Sequence, residues 1–473
     1  MPESRRQLDD TLGVLLARRK SHGRLRRLSN APPNSVDFSS NGYLSLSTNP
    51  VIQKSLVSRL ESELANSENS NALRRRSILG SGGSRLLDGN SSFAESLEAK
   101  IASFHNAEAA LLFTSAFDAN TGLLSCVPQP GDVIIYDELI HASVHDGTRM
   151  SRATKRIPFS HDSISETHQW RCSNGEDGHV GHQNKSKSQG LDDVLKQLSG
   201  DEHVMSSKSN VFICIEGLYS MDGDVPLLKK IVETVDQYLP SGNGYIIVDE
   251  AHSVGVFGEK GNGLVCKFGL ENRIWARVLG FGKAMGCAGG AILCSSITRE
   301  YLINYARSLI YTTSMTFTSL SSIDVVYEYL ISGHSEPLRQ HLETLIGHTY
   351  LQLHALCARL HPGRRTLYIE KRPSKSPIIP IFTAHPRNLA EHCQRHGFMV
   401  RPIVAPTVPA GSERVRICLH SANTPDQIDG LCDAIGMWVQ SQMATEKLQL
   451  SKQQHKQITY GADVVTKQDK PRL

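Results

Sequence analysis

Cysteines in metal-ligand pairs are missing from this sequence of 473 residues: its ten cysteines occur singly, with no zinc-type spacing between any two. Several lie in apolar strand-like runs, which predicts reduced thiols in a core. A charge excess of one sign is missing as well. With 51 Lys and Arg against 47 Asp and Glu, the net charge is +4, so neither nucleic acid nor a membrane surface is expected as a partner. The expected substrate is a small molecule. There is no run long and apolar enough to span a bilayer, and no hydrophobic signal region near Met1, which predicts a soluble intracellular protein.

What is present is enough chain for two or three domains and a sizeable core. Residues 12–28 carry apolar side chains on one side and a run of arginines and one lysine on the other, and read as a short amphipathic helix. From about residue 109 to 293, apolar segments at 110–113, 133–136, 211–215, 245–248, 278–279 and 291–293 alternate with helical patterns. Strands separated by helices predict a mostly parallel sheet covered on both faces. Ligands of such sheets bind at the carboxyl ends of the strands. Between residues 161 and 210 the composition turns to Ser, Gly, His, Asn and Lys, which predicts a surface insertion; its His168, Cys172, His179 and His182 fit no common metal-site spacing. A smaller C-terminal α/β domain is expected, with strands near 377–382 and 415–419. The domain plan is therefore an N-terminal helix and arm over 1–45, a large domain over 46–320, a small domain over 321–443 and a disordered tail over 444–473.

Two strings carry the chemistry. Asp249 and His252 close the apolar strand Tyr245-Ile246-Ile247-Val248, and Lys283 ends the glycine-flanked Gly280-Phe281-Gly282-Lys283. An amine to form a Schiff base, a carboxylate to keep a ring nitrogen protonated and donors for a phenolic oxygen are what pyridoxal phosphate requires. Taken singly, Lys283 reads as an exposed lysine after a strand and His252 as a structural histidine; together they read as a site. Burial would lower the Lys283 pKa and make it a usable nucleophile and base. Asp249 would be partly desolvated unless it met a cation such as a pyridinium. Ser220 offers a further donor for the phenolic oxygen. Thr114-Ser115-Ala116-Phe117 lies between a strand and a helix, where backbone amides can cradle a phosphate. His141 could stack on a ring. Arg414 and Arg416 alternate on a strand, and one of the two could clamp a carboxylate. Gly80-Ser81-Gly82-Gly83-Ser84-Arg85 follows no strand and lacks the lysine of a phosphate loop, so it reads as substrate-facing.

Over residues 12–443 the chain resembles the α-oxoamine synthases, pyridoxal-phosphate enzymes of the aspartate-aminotransferase fold (fold type I). Asn41-Gly42-Tyr43-Leu44, the Gly80 string with Leu86, Gly89-Asn90 and Pro406-Thr407-Val408-Pro409-Ala410-Gly411 are most similar to the branch that serves biotin synthesis. The resemblance implies decarboxylative condensation of L-alanine with pimeloyl-CoA. It assigns Lys283 to the Schiff base, Asp249 to the pyridinium nitrogen, Ser220 and His252 to the phenolic oxygen, and His141 to ring stacking. It further implies phosphate binding by the strand-to-helix turn around Ser115, through the Ala116 and Phe117 amides. Amino-acid carboxylate binding falls to Arg416, substrate contact to Asn41 and Thr407, and the far carboxylate of the acyl chain to Arg26. Thr312 and Thr313 would reach a partner subunit's phosphate, implying a homodimer with shared sites. Where the family has a phosphate-binding Ser or Thr, this chain has Gly280, which predicts weaker cofactor binding. Two other outcomes stay open: another amino acid and acyl thioester in secondary metabolism, or a non-catalytic partner subunit. The terminal Pro471-Arg472-Leu473 is similar to a peroxisomal signal and predicts that location.

Overall fold

The computed structural model describes residues 3–28, 30–69, 77–165, 189–370 and 375–465. The chain divides into two units, Met1–Ser35 and Val36–Leu473. In the first, helix α1 (Glu3–Ser21) starts and stops earlier than the sequence suggests. Gly23 adopts φ 63°, and the amides of Gly23 and Arg24 turn back onto the carbonyls of Lys20 and Arg19, a turn that ends a helix. Arg26 therefore lies beyond α1 and not within it. The apolar side chains Leu12, Leu15 and Leu16 are exposed.

The second unit is built on a seven-stranded sheet in the order β2-β8-β7-β6-β5-β3-β4. These strands are β2 (Ala109–Phe113), β3 (Val133–Asp137), β4 (Lys155–Phe159), β5 (Val211–Glu216), β6 (Gly244–Asp249), β7 (Ala276–Gly280) and β8 (Gly290–Cys294). Neighbours pair in parallel except across β8, which is antiparallel to both β2 and β7. All six apolar segments named from the sequence are strands of this sheet. Strand β4 escaped notice because Lys155 and Arg156 open it and only Phe159 is buried. It is an edge strand, so it needs no apolar run. Two clusters of buried side chains pack the interior, one containing Ile213, Val248 and Leu279 and the other Ile134, Ile247 and Val278. Alternating residues of one strand divide between them, as the two-residue period of a sheet covered on both faces requires.

Three antiparallel strands form a second sheet, β9 (Ile378–Phe382), β11 (Arg401–Ile403) and β12 (Arg414–Cys418), with β12 in the middle. Strand β1 (Val36–Asp37) pairs with β10 (Phe398–Met399), so the chain joins this unit from Val36, ahead of the expected boundary at residue 45. The region 161–210 is mostly folded where it is described. His161 and Ser165 are buried, and helix Leu191–Leu198 packs Leu191, Val194, Leu195 and Leu198 inward. The expected insertion thus narrows to 166–188, which lies outside the described residues together with His168, Cys172, His179 and His182. A further correction concerns the tail: the helix that begins at Pro425 continues to Val465. Ala, Glu, Lys, Leu and Gln dominate residues 444–454 and are strong helix formers. Polarity alone was a poor guide there. The terminal tripeptide lies outside the described residues.

Candidate active site

Neighbouring strands of the large sheet end on a row of ionisable groups. Asp137 closes β3, Glu216 closes β5 and Asp249 closes β6. Lys283 follows β7 in a turn held by Phe281 N–H to Gly289 O (3.0 Å), Cys287 N–H to Phe281 O (2.8 Å) and Gly286 N–H to Lys283 O (2.9 Å). Glu216 and Asp249 are register partners on adjacent parallel strands, so their side chains leave the same side of the sheet.

Burial holds the Lys283 amine below its ordinary range and Arg416 adds to this, while Asp249 and Glu216 pull it back. The four groups therefore sense one another in a single low-dielectric site. The Asp249 carboxylate accepts from Asn120 Nδ2 (2.7 Å) and from the Ala251 amide (2.9 Å). His252 is buried, and its Nδ1 lies 2.8 Å from the Tyr43 hydroxyl. Burial, then Lys283, Arg416 and His141, holds it well below the usual imidazole range. It is a neutral ring whose Nδ1 is occupied by Tyr43, so Nε2 is the nitrogen left to meet a ligand.

His141 caps helix α5 (Ala142–Met150), with Nδ1 accepting from the Ser143 amide (3.2 Å). Phe117 meets the His141 ring edge-on at 6.4 Å. Burial lowers the His141 pKa and Lys283 adds to that, against Asp249. Helix α4 (Ala116–Cys126) is capped by the Ser115 hydroxyl, which accepts from the Asp118 amide (3.0 Å). The first amides of α4, at Ala116 and Phe117, are donors without partners inside the helix. A Cβ added at Gly290 would stand 2.6 Å from Ala116 N, so β8 must carry glycine for this cradle to form.

Arg416 reaches Ser220 O through Nη1 (2.9 Å) and Asn41 Oδ1 through Nη2 (3.3 Å). Its buried Nε has no hydrogen-bond partner among the described residues. Arg414, its neighbour on the same face, is committed to a buried ion pair with Asp222. A guanidinium fixed on two edges with one donor unsatisfied is suited to a carboxylate.

Other residues named from the sequence lie on other segments of the chain. Thr407 is exposed in the connection between β11 and β12. Thr313 is exposed, and Thr312 lines a cleft of about 390 Å³ with Thr114, Arg85 and Gly89. The glycine-rich loop is pinned to that same segment: Ser314 N–H donates to Gly83 O (2.9 Å) and Ser314 Oγ to Gly89 O (2.6 Å). Arg26 belongs to the N-terminal unit.

Asn120, Glu216 and Tyr43 were given no role from the sequence. Glu216 carries the signal that singled out Asp249, an acid closing an apolar strand. Burial first, then Asp249, raises its pKa well above the carboxylate range, which favours the neutral acid. Asn120 sits inside a helix and no sequence pattern marks it.

The residues fit pyridoxal phosphate: a buried amine, a buried carboxylate held by Asn120, a neutral histidine and a capped helix N-terminus converge. Gly280 fits it differently from a hydroxyl residue. A Cβ there would stand 2.7 Å from the Ala251 Cβ, so the backbones of β7 and the Asp249 turn approach too closely for Ser or Thr. Comparison with known proteins agrees. The family model for class I and II aminotransferases matches residues 33–435. The chain belongs to that family. It is 46% identical to an 8-amino-7-oxononanoate synthase of Emericella nidulans over 451 residues, covering 95% of this chain and 100% of that one. It is 31% identical to the aminoacyl transferase sphA of Aspergillus fumigatus over 434 residues, covering 89% and 85%. Its fold is like that of a serine palmitoyltransferase from S. paucimobilis determined with bound PLP–myriocin aldimine, at TM-score 0.70 and 20% identity, covering 91% and 97%. Within the aminotransferase family this chain is a pyridoxal-phosphate-dependent acyltransferase.

Proposed function

We propose that this acyltransferase joins L-alanine to pimeloyl-CoA, releasing CoA and CO2 and giving 8-amino-7-oxononanoate for biotin synthesis. The observation that carries the reading is the buried Arg416 guanidinium, held by Ser220 and Asn41, with Nε unpartnered among the described residues, and in electrostatic range of Lys283. This is a place for the carboxylate of an amino acid whose Cα faces a base. The identity of that amino acid and of the acyl chain rests on likeness to the Emericella nidulans synthase.

The cofactor would be held by the Lys283 amine until the amine of the amino acid takes its place, freeing Lys283, and would supply an electron sink for carbon–hydrogen cleavage and decarboxylation. The protein supplies the rest. Arg416 orients the amino acid, and the Lys283 amine, its pKa lowered by burial, takes the Cα proton. A carbon–carbon bond then forms to the thioester carbonyl as the CoA thiolate leaves. The original carboxylate departs as CO2, and Lys283 returns a proton to the same carbon. Asp249 would hold positive charge on the cofactor's ring nitrogen, His252 would donate to its phenolic oxygen, and His141 would cover its ring. Two subunits sharing sites through Thr312 and Thr313, the far acyl carboxylate on Arg26 and a peroxisomal address at the C-terminus belong to the same proposal.

The test is to incubate purified protein with L-alanine and pimeloyl-CoA and to look for the amino-ketone acid by mass spectrometry. Turnover with glycine or serine but not with alanine would overturn the substrate assignment. Likeness to the sphA transferase supports a second reading, another amino acid and acyl thioester, which the same screen would reveal.

A further inference from the structure

At the edge of the presumed insertion lies a buried histidine between two buried carboxylates. His161 Nδ1 is 2.7 Å from Asp137 Oδ2 and its Nε2 is 2.7 Å from Asp224 Oδ2. All three side chains are almost wholly shielded from solvent. The ring also lies edge-on to Tyr219, with centroids 4.3 Å apart. Both ring nitrogens of an imidazole can donate at once only when it is charged.

Each carboxylate organises one wall of the cofactor site. Asp137 closes β3, and its Oδ1 accepts from the Leu139 amide (2.7 Å). Its own carbonyl accepts from Ile140 N–H (3.1 Å). That turn delivers His141. Asp224 accepts the Ser165 hydroxyl (2.5 Å), and its carbonyl accepts from Tyr219 N–H (3.0 Å), while Gly223 N–H closes onto Tyr219 O (2.8 Å). This second turn contains Ser220, whose carbonyl holds Arg416. The Tyr219 hydroxyl crosses between the walls to Asp137 Oδ2 (3.0 Å).

We infer that His161 is a positioning residue: through Asp137 and Asp224 it locks the turn that carries His141 to the turn that carries Ser220. Both of its ring nitrogens are engaged by carboxylates, so it acts through them. Its work is to keep the ring-stacking imidazole and the phenolic-oxygen donor in register across the sheet end, and through Ser220 O to keep Arg416 aimed. A neutral or truncated side chain removes the charged group between two buried carboxylates and weakens the tie between the two turns, which the Tyr219 hydroxyl still bridges to Asp137.

The test compares His161→Ala and His161→Gln with Leu353→Ala, a core truncation in helix Glu336–Leu360, using the full-length holoenzyme. The readouts are the visible absorption band of the bound cofactor, its dissociation rate and the melting temperature. His161→Ala is expected to release the cofactor about ten-fold faster, the loss of one charged hydrogen bond's worth of positioning, and to shift the band. The smaller change belongs to His161→Gln, which retains a donor and serves in its place if the alanine variant does not fold. Leu353→Ala, at an equal or greater loss of melting temperature, should retain the wild-type band and rate. Equal release from Leu353→Ala and His161→Gln at matched melting temperature overturns the inference, as does a wild-type band and rate in both His161 variants. A wild-type protein that forms no band with pyridoxal phosphate overturns the cofactor assignment itself, and this inference with it.

Discussion

The Tyr43 hydroxyl lies 2.8 Å from His252 Nδ1, with both side chains buried and 209 residues apart in sequence. This contact sets which nitrogen of His252 faces the cofactor site. Tyr43→Phe removes the partner of a buried imidazole nitrogen, which costs about 1–3 kcal/mol. Urea unfolding of the variant should show that loss, and its cofactor band should shift as the His252 donor loses its orientation. An unchanged denaturation midpoint together with an unchanged band would rule out this role for Tyr43.

The two alternating arginines of β12 should separate in kind. Arg416→Lys keeps a charge but loses the fork, and the lost charged hydrogen bonds, roughly 1.5–3 kcal/mol each, predict a KM for the amino acid raised at least ten-fold. Arg414→Met removes a cation that pairs with the buried Asp222 carboxylate, and should destabilise the fold by up to about 3–5 kcal/mol. Steady-state kinetics beside denaturation curves check both. A KM effect at Arg414 with none at Arg416 would reverse the assignment.

At Gly280, restoring the hydroxyl residue of the wider family should harm the protein. A Cβ there meets the Ala251 Cβ at 2.7 Å, so Gly280→Thr is expected to cost about 1–3 kcal/mol by overpacking. Cofactor affinity, measured by absorption titration, should fall or stay level. The double variant with Ala251→Gly should recover stability. Tighter binding in Gly280→Thr alone would show that the backbones can part at little cost.

Stability should depend on pH with opposite signs on the two sides of neutrality. His161 is raised well above its ordinary range, because Asp224 and Asp137 outweigh the burial that opposes its charge. Its contribution is complete below the unfolded imidazole pKa near 6.5 and is lost as pH climbs from there toward the folded value. Among the described residues, Asp137, Asp224 and the raised Tyr219 face it. His105, which burial and Arg277 lower to about 3, and the depressed His252 act the other way. The folded state refuses protons that the unfolded chain accepts below about 6.5, so their contribution fades as pH falls. Urea midpoints measured across this range should form a dome, and His161→Gln should flatten its alkaline side. An alkaline limb identical in wild type and variant would contradict the assignment.

Much of this protein is written locally. The alternation of apolar runs with helical patterns located six strands of the large sheet, because strands buried on both faces need continuous apolar residues. The edge strand β4 does not, and so it was invisible. Asp249, His252 and Lys283 could be named because each closes an apolar strand or its turn, and such positions gather at one end of a parallel sheet. Strand order, though, is set by packing between segments far apart in sequence, and only the folded chain places Glu216 beside Asp249 and Lys283. Arg416 and Arg414 show the same division: their spacing puts both on one face of β12, but only the folded chain pairs Arg414 with Asp222, 192 residues away. The order of the tail and the bounds of the supposed insertion were misjudged from composition. A polar segment can continue a helix, and a lone histidine becomes buried when one carboxylate from a strand end and another from a distant turn arrive to hold it.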